Sequence, residues 1–257
     1  MIRGLTSAKL KLARAKKHLR TIKCAIKKYV TGQPHHISTK AKGKKKLNIP
    51  RKPPQEIAIL AGEMIYQMRS ALDHLAFELV KRNPDVDNLD PGWHEHCQFP
   101  LRTRHPKNRN DFSHSLPGIS PSAATAIEGM QPYRSSAINN MNGCLRALVL
   151  LSNIDKHRRL NLLRPRVREV QEVRYRSGAR YGSWRILERG TIIESPRHDT
   201  ESVKPTHVYR RYKALVTFGE ENILGKDVND VPLDVLLFLI LYQIEVFVIP
   251  SLRPLLT

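Results

Sequence analysis

Two segments of this sequence place polar side chains where a helix should be apolar, and the residue types are those of acid–base and phosphate chemistry. The first is Arg69-Ser-Ala-Leu-Asp-His74. At about 100° per residue, a helix through it puts Glu63, Gln67, Ser70, His74, Glu78 and Lys81 on one stripe, the natural solvent face. Arg69 and Asp73 fall outside that stripe, beside Gly62, Ile65, Ala76 and Val80, and four residues apart so that they can meet. An interior guanidinium needs a carboxylate and further hydrogen bonds to offset its lost hydration. His74 offers an imidazole that titrates near neutral pH and so could act as acid or base.

The second segment is Leu151-Ser-Asn-Ile-Asp-Lys-His-Arg158. An apolar stripe through Ile138, Met141, Leu145 and Leu148 runs on into Ser152 and Asp155. Antiparallel packing of the two helices would let Asp155 accept from Arg69, or let His157 meet Asp73. The expected site is therefore Arg69, Asp73, His74, Asp155 and His157, read either as a structural lock between helices or as a catalytic cluster. No metal or cofactor is expected. Residues adjacent on a helix point about 100° apart, so the Asp/His pairs offer at most one ligand each. Trp93-His-Glu-His-Cys97 lacks the companion C-x-x-C or H-x3-H that a zinc site needs. P-loop and dinucleotide signatures are absent.

Arg69-Ser-Ala-Leu-Asp-His-Leu-Ala76, followed by Gln98-Phe-Pro100, Gln131-Pro-Tyr133 and Asn153-Ile-Asp-Lys-His-Arg158, resembles a widespread bacterial family of unassigned function. That resemblance covers most of the chain and implies no activity. Arg69-x4-His74 also resembles the R-x4–6-H motif of HEPN ribonucleases, and Arg109-x4-His114 repeats the spacing. The HEPN resemblance implies a helical homodimer that cuts RNA without metal, with Arg69 steadying the phosphate and His74 acting as acid or base. In a continuous helix those two side chains diverge by about 140°, so convergence on one phosphate needs a bend or a dimer interface.

The elements that would position these residues follow from periodicity. Leu5, Ala8, Leu12, Ala15, Leu19, Ile22, Ile26 and Tyr29 alternate spacings of three and four, a narrow helical seam. Lysines flank it on both sides, so self-pairing is disfavoured and packing on the chain's own core is expected. Residues 36–40 and 44–49 read as a lysine-studded hairpin, 55–81 as a long helix ending at Asn83-Pro84, and 134–163 as another. Beyond Val167 the period turns to two, with strands at 170–175, 183–187, 191–194 and 207–218. Asp230-Val-Pro232 then opens a buried C-terminal helix. The expected fold class is α+β: three to four core helices, a strand-rich segment packed beside them, and a basic N-terminal helix outside. Residues 1–52 form the arm, 53–166 the helical core and 167–257 the strand-rich segment, with 53–257 one domain.

Charge supplies the functional expectation. Residues 1–52 hold 13 Lys, 4 Arg and no acidic residue, so they carry +17 of the formal +21. Such a field attracts polyanions. Nucleic acid, with RNA as the expected polymer, is the partner read from it, through Lys9, Lys16, Lys23, Lys42, Lys44, Lys45 and Lys46. The rival is a non-catalytic scaffold or partner-binding protein. Three scattered cysteines and the lack of an N-terminal apolar segment fit a reducing, cytoplasmic setting without membrane insertion.

Overall fold

The computed structural model describes residues 3–32, 36–39, 45–48, 52–105, 112, 114–135, 140–157, 163–174, 180–187, 192–193, 207–218 and 231–256. At 36–39, 45–48, 167–174, 180–187, 192–193, 207–214 and 218, and at Arg3, Lys156 and His157, it describes the backbone alone. The helices are α1 (Arg3–Gly32), α2 (Gln55–Lys81), α3 (Trp93–His96), α4 (Pro121–Gly129), α5 (Met141–His157) and α6 (Leu233–Leu256). The strands are β1 (His36–Thr39), β2 (Lys45–Asn48), β3 (Leu163–Arg174), β4 (Arg180–Leu187), β5 (Ile192–Ile193) and β6 (His207–Phe218).

The α+β expectation is corrected. Among the residues whose side chains are described the fold is mostly helical, 74% helix in six helices. The sheet whose side chains are described reduces to two strands, with 163–166 of β3 antiparallel to 215–217 of β6. The physical reason is where the apolar surface goes. The long seams of α1, α2, α5 and α6 bury against one another, and among the strand residues whose side chains are described, Val216 joins this core with Leu163 packed against it. Alternating residues signalled strands locally, but local period says nothing about which element forms the core.

The basic N-terminal helix is not an outlying arm. Leu5, Ala8, Leu12, Ala15, Leu19, Ile22 and Tyr29 are all buried in the common core. α1 runs antiparallel to α2: Gly4 meets His74 and Glu78, and His18 meets Glu63. A Cβ at Gly4 would lie 2.5 Å from the Cβ of Glu78, so glycine permits this close approach. The Gly4 amide, unpaired within its own helix, donates to Glu78 Oε2 at 3.0 Å, which puts a carboxylate on the positive end of α1. His18 is buried at this seam with Nδ1 3.2 Å from Glu63 Oε2, and burial lowers its pKa despite that carboxylate.

The C-terminal helix was expected to be buried. One face is: Leu233, Leu236, Leu237, Ile240, Ile244, Val248 and Leu252 pack against α1, α2 and α5. The other face is open to solvent. Over Ile244–Val248 the helix widens into a π turn in which the Ile249 amide donates to Ile244 O, five residues back. Pro250 follows directly. Its ring would clash with the carbonyl of Val246 in a regular α-helix, and the widened turn relieves that contact. By length and composition α6 is one helix capable of crossing a membrane, with 50% of its apolar window buried inside the protein.

Candidate functional site

The middle of α2 turns Arg69 and Asp73 toward the extended segment Gln98-Phe99-Pro100. Arg69 Nη2 donates to the Phe99 carbonyl at 2.5 Å, and the Phe99 amide donates to Asp73 Oδ1 at 2.9 Å. The two side chains lie 3.5 Å apart. Together they hold both backbone polar groups of one residue, while the Phe99 side chain sits fully buried in the core. An extended segment without strand partners has backbone groups to satisfy, and this pair satisfies them. Burial lowers the Arg69 pKa and Asp73 opposes that shift, which leaves the guanidinium charged.

A second clamp continues along the same segment. Gln131 is fully buried; its Nε2 donates to Pro100 O at 2.8 Å and Ile127 O at 3.1 Å, and its Oε1 accepts from the Arg102 amide at 3.0 Å. Tyr133 N donates to Arg102 O, and Asn142 Nδ2 donates to the Gly129 and Gln131 carbonyls. The Tyr133 hydroxyl donates to Glu128 Oε1; burial and that bond push its pKa up to about 12. The segments around residues 69–73, 98–102 and 131–133 thus form one hydrogen-bonded unit that pins the α3–α4 connection to α2.

The cluster expected from the sequence is only partly assembled. Arg69 and Asp73 meet, as their spacing allows. Asp155 does not join them: it lies over Gly62, seven residues earlier on α2 and hence about 10 Å along the helix. Burial raises its carboxyl pKa. His74 stands on the edge of α2 that faces α1 and is half-buried, so the stripe expected to be solvent-facing is partly covered. The His157 side chain falls outside the described residues, as do those of Lys42, Lys44, Lys45 and Lys46 and the Arg109-x4-His114 spacing. Among the described residues, no group of three metal-ligating side chains converges. Trp93 stacks on Phe77 at 5.1 Å, and His96 lies beside His114. Burial pushes the Cys97 thiol up to about 11 and the Cys144 thiol to about 12, far from the thiolate a nucleophile needs.

Gly62 explains the Asp155 position. A Cβ there would come within 2.7 Å of Asp155 Oδ1 and 3.0 Å of Oδ2. Gly62→Ala is therefore expected to force the Asp155 carboxylate aside and cost about 1 kcal/mol, the low end of overpacking, because only the end of a side chain has to move. Asp155→Ala in the same chain should return most of that loss. Urea unfolding of the two single variants and the double variant measures the coupling, and strictly additive costs would dissociate Gly62 from Asp155.

The cationic side chains of α1 are ordered by its burial. The helix holds ten basic residues and no acidic one. With the seam pinned on α2, Arg14, Lys17 and Lys28 project straight outward, while Lys16, Arg20, Lys23 and Lys27 form a row on the flank toward α6. Lys9 is also exposed on that flank, and Lys11 lies 5.7 Å over the Tyr66 ring on the other. Lys16 pairs with Glu245 at 2.7 Å. Among the described residues, no acidic side chain pairs with Arg14, Lys17, Arg20, Lys27 or Lys28.

No protein-family profile, curated protein or solved structure matches the chain. The resemblances drawn from the sequence accordingly rest on the quoted segments alone.

Proposed function

We propose that this protein associates with nucleic acid, with RNA as the expected polymer, through the cationic outer surface of α1. The Arg69/Asp73 pair is part of the scaffold in this reading. The observation that carries it is the burial of the α1 seam. An acid-free helix fixed rigidly along a folded core presents its cations as ordered rows, and a charged backbone with regular phosphates fits such rows. A free basic tail would offer the same charge without that order. Arg69 Nη2 and Asp73 Oδ1 are committed to the Phe99 backbone, and the reading requires no cleavage step.

Fluorescence anisotropy with a labelled single-stranded RNA, titrated across salt concentrations, tests it. The wild type should bind with a steep negative slope of log K against log salt. Arg14→Gln, Lys17→Gln and Lys28→Gln combined should make that slope shallower by about 2, at roughly 0.7 per lost phosphate contact. An unchanged slope in the folded triple variant would remove the outward row of α1 from the interaction. Metal-independent RNA cleavage that disappears in His74→Ala would replace the binding reading with a nuclease.

A further inference from the structure

Beside the cationic flank of α1, the outer face of α6 exposes an apolar stripe. Val235, Phe238, Tyr242, Val246 and Phe247 are each between 41% and 45% exposed. Three of the five are aromatic, and their rings form a chain: Phe238 to Tyr242 at 6.0 Å and Tyr242 to Phe247 at 6.4 Å between centroids. α1 runs antiparallel alongside, because Lys16 pairs with Glu245 while Lys23 lies 5.5 Å over the Phe238 ring. Lys16, Arg20, Lys23 and Lys27 therefore track the aromatic row over three helical turns, about 16 Å. Isolated exposed apolar residues need no explanation, but a row of rings parallel to a row of cations is a surface with two matched chemistries.

We propose that this surface is the path of a single-stranded nucleic acid, with unpaired bases stacking on Phe238, Tyr242 and Phe247 and phosphates lying along the α1 flank. The inference rests on the nucleic-acid reading above and adds the form of the polymer and its track. Single-strand binders without sequence preference combine these two features, since every base has a face to stack and every phosphate a charge to meet. A duplex keeps its bases paired and out of reach of the rings. An acyl-chain partner fits less well: inserting the stripe into lipid would carry the half-buried Glu245 and its Lys16 partner toward hydrocarbon, where desolvating both charges is costly. The charge on the flank likewise favours a polyanion.

The experiment compares a labelled single-stranded oligonucleotide of mixed sequence, the matching duplex, and vesicles of phosphatidylserine and phosphatidylcholine as probes of the full chain. Phe238→Leu with Tyr242→Leu keeps the stripe apolar and the helix intact while removing both rings. This double variant should lose about tenfold or more in single-strand affinity, from two lost stacking contacts, with an unchanged salt slope and unchanged duplex affinity. Lys23→Gln with Lys27→Gln should instead flatten the salt slope. Circular dichroism and melting confirm the fold of each variant, and Phe238→Tyr, which retains a ring, should bind as wild type. Wild-type single-strand affinity in the double Leu variant overturns the track. If the Arg14, Lys17 and Lys28 substitutions still weaken binding in that case, the general nucleic-acid reading survives. No binding of any oligonucleotide by the wild type sinks both. Tighter binding to anionic vesicles than to the strand, lost in the double Leu variant, assigns the stripe to a lipid surface and overturns the inference. The same follows if the stripe proves to be a contact between two copies, seen as dimerisation that the double Leu variant abolishes.

Discussion

Asp73→Ala is expected to destabilise the protein by about 3 kcal/mol, a large share of the total stability of a domain of this size. The loss has two parts. The Phe99 amide loses its acceptor, and Arg69, 9% exposed, keeps its charge with no carboxylate beside it. The value sits at the low end for stripping a buried charge of its partner, because the Asp73 side chain is itself 34% exposed and water takes up part of its role. Asp73→Asn retains an oxygen for the Phe99 amide and removes only the charge, so it should cost about half as much. His74→Ala, one residue on, should cost less than either. Urea unfolding gives all three values; an Asn variant as stable as the wild type would show that the charge on Arg69 needs no partner.

Gln131→Ala should cost a similar amount, about 3 kcal/mol. Three hydrogen bonds disappear, and the Pro100 carbonyl, the Ile127 carbonyl and the Arg102 amide are left around a cavity that was fully closed. Each such loss is worth about 1 kcal/mol net, more where the abandoned group cannot reach water. Gln131→Glu sharpens the test, since it sets an oxygen against the two carbonyl oxygens that the amide nitrogen served. A buried carboxyl facing acceptors is driven to hold its proton, so its folded pKa is raised above the unfolded value. The deficit relative to wild type should then grow as pH rises above about 4.3 and shrink below it. Thermal melts at pH 4 and pH 7.5 measure this difference, and a deficit independent of pH would mean that Gln131 is not held as its hydrogen bonds indicate.

Much of what positions the Arg69 site was readable from spacing. The seam of α1 and the full extent of α2 follow from apolar recurrence, and the anomalous places of Arg69 and Asp73 on α2 pointed to an interior partnership. The identity of the partner was not readable. Both residues reach a backbone peptide about 26 to 30 positions away, and a peptide unit leaves no signature in residue type. Gln98-Phe-Pro100 and Gln131-Pro-Tyr133 stood out in the sequence as segments, but only their three-dimensional proximity makes them clamp and clamped. Asp155 was misassigned for a different reason. It was placed beside Arg69 on the condition that α5 and α2 pack antiparallel; it lies instead over Gly62, which offers the gap into which a carboxylate fits. The aromatic row of α6 was hidden by uniformity. A helix apolar on every side carries no periodic hint of which face will stay open. The strand-rich half misled in the opposite way, because clear alternation spoke for a sheet that is not the body of the fold.

The π turn of α6 has a consequence for how this chain tolerates changes in length. Ile244, Val248 and Leu252 are all buried although they are spaced by four. In a regular helix that spacing would carry Leu252 roughly 80° around from Ile244, toward the edge of the buried face. The widened turn takes up the surplus as one extra residue, so the helix before it and the helix after it count along the same side of the core. Deleting one residue between Ile244 and Val248 would let the turn close to ordinary α geometry with Leu252 still facing inward, at the expense of the space that Pro250 requires. Deletion and proline are thus coupled: a lineage that replaced Pro250 by alanine could shed that residue, whereas one that kept the proline could not.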